Sequence, residues 1–198
     1  MMVEAESMLV GPNEADVVNS FAVVTYIPDP LASFLHAVQK EIAPSYQSVR
    51  AHVTVLPPRP LPLEIGAEFA GEQLREQTLR VPAFVIEATG VEVFRDTSVI
   101  YLAVGAGRVE LERMHGLLNS DGLAHAEPYP FHPHITVAQG LAPERLRGAV
   151  ELTRRRWEEY SLERSFPVET FTFVQNTIQN EWIDLAEFTL APGGSATR

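Results

Sequence analysis

One four-residue phrase occurs twice in this 198-residue chain, as His52-Val53-Thr54-Val55 and as His134-Ile135-Thr136-Val137. In an extended strand, residues i and i+2 share a face. Each phrase therefore sets an imidazole and a hydroxyl side by side on one surface, with two branched aliphatic side chains on the other. The aliphatic pair needs a core to bury against, and the polar pair needs an open face. Any fold for this chain must supply both, twice. Chance is a poor explanation. With 6 His and 12 Thr, random placement gives about 0.4 His-x-Thr triplets, and requiring an aliphatic residue after both lowers this below about 0.1.

The bulk properties narrow the setting. A chain of this length builds one sizeable core or two small, closely joined lobes. Hydrophobic residues at 45% and charged residues at 21% are those of a globular protein. No apolar run approaches the length needed to cross a bilayer. The opening MMVEAESMLVGPNEADVV lacks the basic start and apolar stretch of a secretory signal. With no cysteine, disulfides and thiolate metal sites are excluded, which suits the cytoplasm. The net charge of −11 argues against broad affinity for long nucleic acid, which depends on many Lys and Arg at phosphates. A small phosphorylated ligand in a hydrogen-bond-rich cleft remains compatible with that charge.

The pattern along the chain predicts a leader over 1–19, one domain over 20–190 and a frayed tail over 191–198. Residues 20–27 read as a strand ended by Pro28-Asp29-Pro30. Over 31–43, Leu31, Phe34, Leu35, Val38 and Ile42 have helical spacing, with Pro44 as the stop. The first phrase follows on a strand at about 50–56, closed by Pro57-Pro58, and a helix is expected over 63–79. FVIEATGVEVF and SVIYLAVG predict a hairpin turning near Arg95-Asp96-Thr97. The order then recurs: a helix over 109–122 with Leu111, Met114 and Leu118 inward, the second phrase on a strand at 134–138, and a helix over 142–160 with Pro143 in its first turn. The hairpin VETFTFVQN/WIDLAEFTL closes the plan. The two motif histidines lie 134 − 52 = 82 residues apart, close to half the ordered chain.

This set of groups matches phosphodiester chemistry. Displacement at phosphorus needs a base for the attacking oxygen and an acid for the leaving oxygen. Imidazole, with a pKa of about 6.5, fills either part near neutral pH. Two threonine hydroxyls would hold the non-bridging phosphoryl oxygens, where charge must be stabilised. No metal or other cofactor is required.

On these two motifs, with Pro133 preceding the second, the chain resembles the 2H phosphoesterase superfamily, which includes 2′-5′ RNA ligases and RNA 2′,3′-cyclic phosphodiesterases. The likeness covers roughly residues 20–190 and includes the hairpin after each motif helix. It implies an α+β, bilobal, pseudo-twofold duplicated unit, with two antiparallel sheets lining a central cleft and helices outside. It also implies that His52 and His134 are the acid–base pair, leaning towards His52 as acid and His134 as base, with Thr54 and Thr136 on the phosphate. Many members carry an arginine just after the second motif, where this chain has Gln139. The expected substrate is a small nucleotide or RNA end bearing a cyclic phosphate, handled by a monomer. A binding module without turnover and a 2′-5′ RNA ligase are the alternatives.

Other residues admit two readings. Arg59 would reach a phosphate from the loop after the first motif, or simply sit exposed there. Tyr129 and Phe131 would stack on a base, or pack their Pro-rich loop against the body. His132-Pro133-His134 sets two rings on one face, but no third ligand has supporting spacing, so no metal is expected. His36 and His115 read as surface or boundary residues, and His125 as a loop residue near the second motif. Gly105 and Gly107 read as a turn rather than a phosphate loop, and Arg154-Arg155-Arg156 as the polar side of a helix.

Overall fold

The computed structural model describes residues 16–43, 49–62 and 64–193. Most of the expected leader over 1–19 and most of the expected tail over 191–198 fall outside these residues. In chain order the elements are β1 (Val17–Tyr26), α1 (Leu31–Ile42), β2 (His52–Arg59), α2 (Ala67–Thr78), β3 (Phe84–Val93), β4 (Ile100–Val104), α3 (Arg108–Leu118), β5 (His134–Ala138), α4 (Pro143–Glu159), β6 (Ser165–Val168), β7 (Thr170–Thr177) and β8 (Trp182–Thr189). The strands form one eight-stranded sheet, ordered β6-β3-β4-β5-β2-β1-β7-β8, with every neighbouring pair antiparallel. Where the resemblance implies two sheets, the chain builds one, because β2 and β5 pair across the middle.

The helices form where apolar spacing and end signals agree. Leu31, Leu35, Val38 and Ile42 bury one stripe of α1, and the Asp29 carboxylate accepts the Ser33 amide at 3.1 Å at its start. Pro143 opens α4, where a missing N–H costs nothing. Gly107 precedes α3 at φ 84°, and a Cβ there would lie 2.5 Å from the Val85 carbonyl oxygen. Only glycine fits that turn. The arginine run lies on α4, where Arg156 bridges to Glu41 at 3.0 Å.

All four helices cover the same face. Leu35, Leu74, Leu111, Met114, Leu118 and Trp157 share one core with Val53, Val55, Ile135 and Val137 of the motif strands. α1 packs on β5 and α3 on β2, while α4 lies against β3 and α2 against β8. The sheet curls on this side. Only Glu169 separates β6, at one edge, from β7, near the other, and Phe84 of β3 reaches Phe171 of β7 at 6.5 Å between ring centroids. The opposite face carries a small cluster of Ala22, Val24 and Val174, packed by Tyr26 and Trp182. His52, Thr54, His134 and Thr136 lie on that same face.

Several boundaries differ from the sequence expectation. β1 begins at Val17 rather than 20, because Val17 pairs with Thr177. β2 runs through Pro57-Pro58 to Arg59. A central strand normally excludes proline, but β2 meets β5 at the single pair Val53–Ile135, so the prolines need a ladder partner on one side only. α2 starts after Gly66, and α3 ends at Leu118, before a separate 3-10 turn at Asp121–Leu123. The first arm of the expected closing hairpin begins at Thr170 as β7, which pairs with β1, and a separate strand β6 precedes it and pairs with β3. Replacing the fully buried Leu35 by Ala should lower urea-unfolding stability by about 2–5 kcal/mol, whereas Phe69→Ala, at a side chain 57% exposed, should change it by less than about 0.5 kcal/mol.

Candidate active site

β2 and β5 place the two motifs in contact. With Val53 opposite Ile135, the antiparallel register sets His52 across from Thr136 and Thr54 across from His134. Flanking ladders extend these rows. Tyr26 lies opposite His52, Tyr101 opposite Thr136, and Glu92 opposite Tyr101. Glu92, Tyr101, Thr136, His52 and Tyr26 therefore form one line across five strands. The adjacent line carries Ala103, His134, Thr54 and Val24. The two histidines are diagonal neighbours, about 7–8 Å apart at the backbone. Val53, Val55, Ile135 and Val137, pointing the other way, are at most 1% exposed.

Each imidazole is held the same way. Nδ1 of His52 lies 2.8 Å from the Arg50 carbonyl oxygen, and Nδ1 of His134 lies 2.7 Å from that of His132. A carbonyl only accepts, so each Nδ1 carries the proton and donates it, and in the neutral ring Nε2 is left as an acceptor. The edge of Phe94 meets the His134 ring at 4.9 Å, and Phe94 itself stacks on Tyr101 at 4.1 Å. Burial holds both imidazoles below their ordinary pKa. For His134, charge on His132 and on His52 pushes in the same direction, so the two motif rings feel each other's protonation. Among the described residues, no hydrogen bond takes up the hydroxyl of Thr54 or Thr136.

Two tyrosines flank the quartet, each tied to a carboxylate. The Tyr26 hydroxyl donates to Asp184, and the Tyr101 hydroxyl donates to Glu92 at 2.9 Å. Burial, then the carboxylate, raises both pKa values, that of Tyr101 to about 12. Arg50 spreads its guanidinium over the Tyr26 ring at 3.7 Å. Sequence reasoning missed Tyr26, Arg50, Phe94, Tyr101 and Asp184. Alternation along β1 and β4 marks the faces of Tyr26 and Tyr101, but only the strand register sets these beside the histidines, and Arg50, Phe94 and Asp184 come from a loop, a strand end and β8.

A family profile for the 2′-5′ RNA ligase superfamily matches residues 27–178. The chain belongs to this superfamily. A Staphylococcus aureus (strain JH1) protein named "Putative phosphoesterase" is 32% identical over 120 residues, which is 58% of this chain and 69% of the relative. Among solved structures, Escherichia coli LigT in its apo form superposes with a TM-score of 0.60 at 16% identity, and its complex with 3′-AMP with 0.61 at 15%. A Thermus thermophilus protein gives 0.60 at 17%. Each of these three comparisons covers 87% of this chain and 98% of the other. These structures share the fold.

In this member of the 2′-5′ RNA ligase superfamily, Arg59 is placed away from the quartet. It is 3% exposed, and its guanidinium donates to the Pro57 and Leu123 carbonyls, to Asn119 and, at 2.5 Å, to Glu127. Glu127 also lies 3.4 Å from Nε2 of His115. The His115 Nδ1 lies 2.9 Å from the Val55 carbonyl oxygen. Phe131 stacks flat on His115 at 3.9 Å, so it packs its loop against the body, while Tyr129 is 62% exposed. His36 and His125 are exposed. Together Arg59, His115, Asn119, Glu127 and Phe131 clamp the segment leading into β5 onto the end of β2. Among the described residues no three His, Asp or Glu side chains converge as metal ligands, and no helix is long and apolar enough to cross a membrane.

Two outcomes follow from these placements. Arg59→Ala should cost about 3 kcal/mol in urea unfolding, because it removes the buried partner of an ion pair and leaves the partly buried Glu127 carboxylate without its cation. The histidines give a pH signature. Their folded pKa lies below the unfolded value, so under about pH 6.5 the unfolded chain binds protons that the folded one resists, and stability falls as pH falls. Unfolding of the His52→Asn/His134→Asn double variant should therefore lose less stability between pH 7 and 5 than the wild type.

Proposed function

We propose that this chain is a metal-independent phosphodiesterase that opens a 2′,3′-cyclic phosphate, or a related cyclic phosphate, on a nucleotide or RNA end. The observation that carries the proposal is the diagonal pair of imidazoles, each with Nδ1–H spent on a backbone carbonyl and Nε2 left for a ligand. A phosphoryl group bound between two such nitrogens would take a hydrogen bond of about 2.8 Å from each. Membership of the 2′-5′ RNA ligase superfamily and the phosphoesterase name of the staphylococcal relative agree with this reading. So does the binding of 3′-AMP by LigT, which shares the fold.

In the proposed reaction, one histidine takes a proton from water as its oxygen bonds to phosphorus. The other gives its proton to the ribose oxygen as the old P–O bond breaks, leaving a phosphomonoester. Thr54 and Thr136 donate to the non-bridging oxygens. Burial disfavours a proton on either ring, and for His134 the charges of His132 and His52 act in the same direction, so these shifts rank neither ring as the base. With His52 as acid and His134 as base, as the family resemblance implies, the product is a 2′-phosphate.

Purified protein in EDTA should hydrolyse nucleoside 2′,3′-cyclic phosphates, with the product position read by phosphorus NMR. His52→Ala and His134→Ala should each lower kcat by about 10²–10⁴-fold, and Thr54→Val or Thr136→Val by about 10²-fold. Activity that survives both histidine substitutions would remove these residues from the mechanism. Because both imidazole pKa values are depressed, the form with one proton between them is most populated below about pH 6.5. The kcat/KM maximum should lie there, and a maximum above pH 7.5 would contradict the depressed values.

A further inference from the structure

The run that leads into the second motif strand lies where backbone pairing fails. β2 meets β5 at the single pair Val53–Ile135. Continued in the same antiparallel register, Val55 would meet Pro133, Pro57 would meet Phe131 and Pro58 would meet Pro130. Proline has no N–H to give to a ladder. Among the described residues no backbone hydrogen bond joins the stretch from Tyr129 to Pro133 to β2.

Side chains close this gap, and His115 is central among them. It sits in the last turn of α3, next to Met114 and one turn from Leu111 and Leu118, all buried in the core. From that fixed support its Nδ1 donates to the Val55 carbonyl oxygen at 2.9 Å. Its ring lies flat on Phe131, with centroids 3.9 Å apart and planes within 4°. One side chain thus holds β2 by a hydrogen bond and the incoming segment by a stack.

We propose that His115 is a positioning residue of the reacting centre: it stands in for the missing ladder and sets the His132 carbonyl, and through it the His134 ring, against the first motif strand. The proposal deepens the proposed function and rests on it for the effect on turnover. Both contacts of His115 fall one residue from the chemistry. Val55 adjoins Thr54, and Phe131 adjoins His132, whose carbonyl oxygen takes the Nδ1 proton of His134 at 2.7 Å. His52 is held independently, by the Arg50 carbonyl before the start of β2. Loosening His115 therefore disturbs one imidazole and spares the other. A residue that merely filled space in the core would show no such asymmetry.

The test is nitrogen–proton NMR of the imidazole Nδ1–H groups, with kcat and KM measured on a nucleoside 2′,3′-cyclic phosphate. Wild type is compared with His115→Phe, which keeps the stack and loses the donor, and with His115→Asn, which keeps a donor near the Nδ1 position. Phe131→Ala, at a partly exposed side chain, removes the stack alone and carries the same readouts if His115→Phe does not fold. In His115→Phe and Phe131→Ala the His134 Nδ1 proton should exchange with water at least about tenfold faster, as a locally opened segment allows, while that of His52 stays as in the wild type. In both variants kcat should fall by about 10–10²-fold, the scale of a misplaced reacting group, with KM within about twofold. His115→Asn should restore most of kcat and of the slow exchange. A His134 proton unmoved in both variants, or one that moves together with that of His52, would overturn the role. So would a loss of urea stability in His115→Phe with kcat unchanged. If the wild type leaves cyclic phosphates intact, the proposed function fails, and the two proton signals still decide whether His115 positions His134.

Discussion

The pairing of Val53 with Ile135 is the contact on which the site depends. It joins residues 82 apart in sequence (135 − 53) and makes one sheet from two runs of strands. Both side chains are fully buried on the helix side, held by α3 behind β2 and by α1 behind β5. Strand alternation then leaves no freedom about what faces the other way. A slip of one residue would send both histidines into the core and their aliphatic neighbours into water. The register is thus fixed by hydrophobic burial, while its product is a polar constellation.

The electrostatics of that constellation suit a single bound anion. Backbone carbonyls fix both imidazole tautomers, and burial disfavours charging either ring. An arriving phosphate offsets that penalty, so proton uptake and ligand binding are coupled. The tyrosine hydroxyls on either side are tied to Asp184 and Glu92, so each flank of the quartet carries a carboxylate. With a net charge of −11, this arrangement favours a short ligand over a polyanion.

Much of this was legible in the sequence because it is local. The two His-x-Thr phrases declare their faces by alternation alone, and Leu111, Met114 and Leu118 declare theirs by helical spacing. What was not legible depends on register or on long-range partners. Arg59 reads as a loop arginine until Glu127, Asn119 and the Leu123 carbonyl, 60 or more residues away, are seen to surround it. Pro57-Pro58 reads as a strand stop until β2 is found to run on to Arg59 with β1 as its ladder partner there. Tyr26 reads as an ordinary strand aromatic until the β1–β2 register sets it opposite His52. The break between β6 and β7 was hidden because one residue, Glu169, makes the passage between opposite ends of a curled sheet.

The account stands or falls on whether His52 and His134 share one anion site. Histidine NMR during a titration with inorganic phosphate measures this directly. Both ring signals should move along one binding curve with one dissociation constant, and His52→Asn should raise the pKa of His134 by removing a neighbouring charge. Separate dissociation constants, or a His134 titration indifferent to that substitution, would contradict it.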